Sequence, residues 1–170
     1  MEKVKVSSET LLKYLTDHNV KLARLAELMG ISGASLTSCF KHQIINKGVP
    51  RQFTAQNLER MNEALPQLAS ELRGSMLIFG TGETRTGQKG KVYDSALVDQ
   101  MKRIGQYMNL TALVYRVLGW SQDKKESILV TKNSKVHGNI TREDADLINT
   151  ELLSVAGVLS SYEVIANNNK

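Results

Sequence analysis

The side chains in this 170-residue chain that are best placed to meet another molecule are small and polar, and they recur at helical spacing. Gly33, Ala34, Thr37, Ser38 and Lys41 fall on one side of a helix starting after Ser32, a face that fold stability alone does not ask to be small or polar. Gln122, Asp123, Lys124, Lys125 and Ser127 form a similar face later in the chain, richer in hydrogen-bonding groups. Such groups suit surface recognition rather than bond breaking. The residues that could break bonds are poorly arranged for it. His18, His42 and His137 are scattered, with no second ligand at metal spacing. Glu143, Asp144 and Asp146 gather at the start of a helix, where Thr141 and Asp144 form a capping pattern and acidic groups suit the positive end of the helix dipole. The Gly-rich stretch GTGETRTGQKGK misses the spacing of a phosphate-binding loop. Gln88 follows Gly87 where that loop needs lysine, and Val92 follows Gly90-Lys91 where it needs Ser or Thr. No Ser/His/Asp or Cys/His constellation occurs in the sequence pattern, so neither catalysis nor a cofactor is expected.

Two short helices must position the first of these faces. Leu22, Leu25, Ala26 and Met29 recur at i, i+3, i+4 and i+7, one side of a two-turn helix. Gly30 can then take the left-handed conformation that ends a helix without a Cβ penalty, and Ile31 tucks under the corner. Ser32 restarts the chain as a cap, and Leu36, Cys39 and Phe40 share the inner side of the second helix. Cys39, the single cysteine, is expected as a core thiol in a reducing compartment.

The window Leu22 to Lys41 resembles the helix-turn-helix of phage repressor, Cro and XRE-type DNA-binding proteins. In that likeness Ala26 is the small residue that lets two helices cross closely, Gly30 makes the turn, and Leu25, Met29, Ile31, Leu36 and Cys39 fill inward positions. The resemblance implies that the helix starting at Ser32 lies in a DNA major groove. Thr37, Ser38 and Lys41 would then meet base edges or thymine methyls, with Gly33 and Ala34 allowing close approach.

Around that window the spacing predicts one helix before it, capped by Ser7 or Ser8 and carrying Leu11, Leu12 and Leu15. Thr54 caps a fourth with Leu58, Met61 and Leu65, and Pro66 suits either the first turn of a fifth helix or a kink. Residues 80–93 read as a flexible Gly-rich linker between an N-terminal domain at 1–79 and a C-terminal domain at 94–170. The second domain repeats the plan of the first. Gly30-Ile31-Ser32 matches Gly119-Trp120-Ser121, Phe53-Thr54 matches Ile140-Thr141, and Met61, Leu65, Leu68 and Leu72 match Ile148, Leu152, Val155 and Leu159. Two positions depart from the family pattern: Tyr115 stands in for Ala26, and Lys125 for Leu36. Either the second pair crosses more openly or its second helix is rotated.

The fold expected is therefore all-α, two tandem lambda repressor-like helix-turn-helix domains. The protein expected is a non-enzymatic transcriptional regulator that binds double-stranded DNA. In the second copy Gln122, Lys124 and Ser127 would read bases. Lys47, Arg51, Lys132 and Lys135, on the loops after the recognition helices, would hold phosphates. Two motifs in one chain can span two half-sites, and homodimerisation through the fifth helix is an alternative. The net charge of +5 fits a polyanionic partner. The excess lies before residue 94, since residues 94–170 hold nine Lys+Arg against nine Asp+Glu. The N-terminus has no apolar segment of the kind export requires, and no run approaches roughly 18 apolar residues, so a cytoplasmic protein without membrane contact is expected. The rival reading is a protein-interaction module on the same scaffold, favoured by the modest charge and the bland first face.

Overall fold

A computed structural model describes residues 2–45, 53–126 and 140–166, with backbone alone at 42–45 and 88. These residues are mostly helical. In chain order they form β1 (Val4–Val6), α1 (Ser8–Asp17), α2 (Leu22–Met29), α3 (Gly33–Ile45), α4 (Ala55–Gly74), β2 (Thr84–Thr86), β3 (Val92–Asp94), α5 (Ala96–Ile104), α6 (Leu110–Leu118), α7 (Gln122–Lys125), α8 (Arg142–Ser161) and β4 (Tyr162–Val164). No described helix is long and apolar enough to cross a membrane.

Short polar side chains fix where most helices begin. The Ser7 hydroxyl accepts from the Thr10 amide (3.1 Å), Ser32 from Ser35 (3.0 Å), Thr54 from Asn57 (3.1 Å), the Asn109 amide oxygen from Ala112 (3.2 Å) and Ser121 from Lys124 (3.2 Å). Each satisfies one of the amides that a helix start leaves without an intrahelical partner. At α8 the cap is reciprocal: Thr141 accepts from the Asp144 amide, and the Asp144 carboxylate accepts from the Thr141 amide. Gly30 (φ 73°) ends α2 and Gly119 (φ 71°) ends α6, both left-handed, and the amides of Ile31 and Trp120 turn back to Ala26 and Val114.

Pro66 starts no fifth helix. It lies inside α4, which runs unbroken for 20 residues. Apolar burial on either side of Pro66 outweighs its missing hydrogen bond, because Met61, Leu65, Leu68 and Leu72 are all fully buried. The helix α8 has the same length, with Ile148, Leu152, Val155 and Leu159 equally buried.

The chain divides into two compact units, and their limits differ from the expected 1–79 and 94–170. Unit 1 combines Met1–Glu71 with Val155–Lys170, and unit 2 is Leu72–Ser154. In unit 1, β1 pairs in parallel with β4, in the register Val4↔Tyr162, Lys5↔Glu163 and Val6↔Val164. Asn62 of α4 clamps the last strand from the side. Its carboxamide accepts from the Val164 amide (2.7 Å) and donates to the Val164 carbonyl (2.9 Å). Unit 2 contains the matching clamp: Asn149 of α8 accepts from the Leu77 amide (2.7 Å) and donates to the Leu77 carbonyl (2.9 Å). The tail following each long helix is thus bound in the unit that holds the start of the other.

The stretch expected as a flexible Gly-rich linker is folded in unit 2. β2 and β3 form an antiparallel hairpin in the register Thr84↔Asp94, Arg85↔Tyr93 and Thr86↔Val92. The two small sheets are additions to the helical expectation; their three-residue strands are too short to show a period-two pattern.

Candidate nucleic-acid interface

In unit 1 the helix α3 packs against α2 and α1. Leu25, Ala26 and Met29 of α2 are buried, as are Leu36 and Phe40 of α3, and the Phe40 ring meets Phe53 edge-on with centroids 5.2 Å apart. Arg24 ties α2 to α4 through a two-pronged ion pair, with Nε to Glu71 Oε2 at 2.8 Å and Nη2 to Glu71 Oε1 at 2.6 Å. Its third nitrogen reaches Glu27 at 2.7 Å. Hydrogen bonds from Arg24 hold the Glu71 carboxyl below the usual glutamate range, and the same bonds, Glu71 first and Glu27 second, raise the Arg24 guanidinium above its own.

That anchoring leaves the other side of α3 to solvent. Gly33, Ala34, Ser38 and Lys41 are exposed and Thr37 is half-exposed. A Cβ built on Gly33 meets nothing within 4 Å among the described residues, so the protein's own packing does not require glycine there. Ser35 shares this exposed end, with its hydroxyl accepting from that of Ser32 at 2.8 Å. Cys39 is half-buried rather than a full core thiol, because it lies at the border between the two faces. Lys47 and Arg51 lie outside the described residues.

The second pair, α6 and α7 in unit 2, has the same turn and cap but a different surface. Gln122 and Lys124 are exposed, and each is engaged by a neighbour: Gln122 Nε2 donates to Glu126 Oε1, and Lys124 Nζ lies 4.8 Å from the centroid of the Trp120 ring. Ser127, Lys132 and Lys135 lie outside the described residues. The two positions that differ from the first pair have physical solutions. Lys125 is half-buried and sends its ammonium back to Thr111 Oγ1 at 2.8 Å, covering the helix with its stem while its charge finds a partner. Tyr115 turns outward and is 71% exposed, whereas Ala26 is only 1% exposed. Trp120 at the turn is buried, with 3% of its surface exposed. Between these elements runs an apolar groove of about 560 Å³ lined by Asn109, Thr111, Ala112, Tyr115, Trp120, Ser121 and Gln122.

Groupings that would support other chemistry are sparse. Among the described residues no group of three His, Cys, Asp or Glu side chains could hold a metal ion. His18 stacks on the Tyr14 ring at 4.2 Å. Compared with protein-family models, curated proteins and solved structures, the chain matches none of them.

Proposed function

We propose that this protein binds double-stranded DNA and regulates transcription in the cytoplasm, using two tandem helix-turn-helix domains of the lambda repressor-like kind. The carrying observation is the two-sidedness of α3: Leu36 and Phe40 are buried on one side, and Gly33, Ala34, Thr37, Ser38 and Lys41 are presented on the other. A helix held by its inner face, with small and polar groups outside, fits a major groove and can donate to or accept from base edges. The second pair contributes through Gln122 and Lys124 once their internal partners are exchanged for DNA. Two such pairs in one chain supply what a homodimer otherwise would.

Selection of bound duplexes from a random pool tests this reading. A defined operator should emerge, and Thr37→Tyr or Ser38→Tyr should abolish preference for it, a loss of about 1–3 kcal/mol per base position, while binding to random DNA persists. Failure of the parent protein to retain any duplex at low salt ends the DNA reading.

One observation favours a second reading, a protein-interaction module. The apolar groove and the exposed Tyr115 lie beside α7, where DNA reading calls for polar groups. Loss of protein binding on Tyr115→Ser, in a chain that retains no DNA, would favour it.

A further inference from the structure

The β2–β3 hairpin of unit 2 is built with more care than a connection requires. Its base is pinned. The fully buried Asp94 accepts from the amides of Gly80 (2.5 Å) and Ala96 (2.9 Å), while Glu83 and Ser95 exchange two hydrogen bonds of 3.0 and 3.1 Å. Tyr93 forms an isolated bridge to Thr141 at the start of α8. Glycine is compulsory at position 82, because an added Cβ would stand 2.5 Å from Asp94 Oδ1 and 2.6 Å from the Ala96 nitrogen.

The free end differs from the base in charge and in strain. Thr84, Arg85, Thr86, Lys89 and Lys91 are exposed. The tip closes with the Gly87 amide donating to the Lys91 carbonyl at 2.7 Å, and Lys89 sits there at φ 58° beside Gly90 at φ 72°. A left-handed lysine is disfavoured relative to glycine or asparagine, so the turn holds a charged side chain at its apex against local preference, as functional positions often do. Arg85 lies over the Tyr93 ring at 5.3 Å, which orients its guanidinium on the exposed strand. Three cations thus decorate the ribbon against one exposed carboxylate, Glu83 at its base, while Asp94 is buried there.

We infer that this hairpin is a second DNA-contacting element, gripping backbone phosphates of the duplex with Arg85, Lys89 and Lys91. The inference rests on the DNA-binding reading above. A two-stranded ribbon has the width a major groove admits, and a basic ribbon binds by releasing condensed counterions from phosphates.

The test is a salt titration of random-sequence duplex with the full chain, comparing the parent with the triple variant Arg85→Ala, Lys89→Gly, Lys91→Ala. Lys89→Gly removes charge while relaxing the turn, and that single variant should melt no lower than the parent, which keeps folding separate from binding. The triple variant is expected to flatten the plot of log affinity against log salt by about 2–3 units, roughly 0.9 per lost phosphate contact, while the operator preference set by Thr37 and Ser38 survives. An unchanged slope in a triple variant that still binds operator overturns the hairpin inference alone. A parent that binds no duplex overturns the DNA reading and the inference together. Binding of the parent to vesicles of phosphatidylserine and phosphatidylcholine instead, lost in the triple variant, assigns the ribbon to an anionic membrane and likewise overturns it.

Discussion

Gly33 separates what the fold needs from what the proposed DNA contact would need. Nothing described in the protein crowds it, and its backbone has no positive φ, so alanine fits without strain. Gly33→Ala should therefore raise stability by about 0.5 kcal/mol, through the backbone entropy that glycine would otherwise lose on folding. It should also weaken operator binding, because a methyl then stands where DNA is expected to come close. Thermal melting and a DNA titration of the same variant check both arms, and unchanged affinity would remove Gly33 from the interface. At this scale much was legible. The caps at Ser32, Thr54 and Thr141 and the left-handed turns at Gly30 and Gly119 announce themselves because each depends on one side chain and its own amides. Lys125 and Tyr115 were visible only as departures. Their resolution depends on Thr111 and on solvent, which no local pattern encodes.

Among the elements, α2 offers a measurable dependence on pH. Bonded to Arg24, the Glu71 carboxyl titrates below its ordinary range, so in acid the unfolded chain takes up this proton before the folded one does. The ion pair's contribution is complete above the ordinary glutamate range, near pH 4.3, and fades as pH falls through the lowered value. Chemical denaturation from pH 6 down to pH 3 should show the parent losing stability more steeply than Glu71→Gln, with the two curves converging at the acid end. Parallel curves would mean that the pair is already screened by water. The element order of the helices was largely readable from apolar periodicity. At Pro66 the sequence left a new helix and a kink both open, and α4 continues through it because both flanks are buried; the hairpin was not readable, being built from Thr, Gly and Lys with no apolar alternation. Its architecture comes from the base, where Asp94 meets amides at Gly80 and Ala96.

For the whole molecule, the matching apolar stripes of α4 and α8, 87 residues apart, could be read from the sequence, but the division of the chain could not. A stripe of buried residues shows which helices match and is silent on which tail docks where. The docking is carried by Asn62 and Asn149, each holding both backbone groups of one residue. Asn62→Ala leaves the Val164 amide and carbonyl without this partner and should cost about 1–3 kcal/mol, as should Asn149→Ala at Leu77. At about 2–4 °C per kcal/mol for a chain of this size, differential scanning calorimetry resolves either loss. A melting temperature unmoved by both changes would show that the clamps carry no stability. Unit 1 is discontinuous in sequence whereas unit 2 is not, and this sets an order of events during synthesis. The ribosome delivers the whole of unit 2 before it delivers the strand that completes unit 1. The segment carrying α1, α2 and α3 is therefore made before unit 2, yet lacks the strand that pairs with β1 until Val164 emerges.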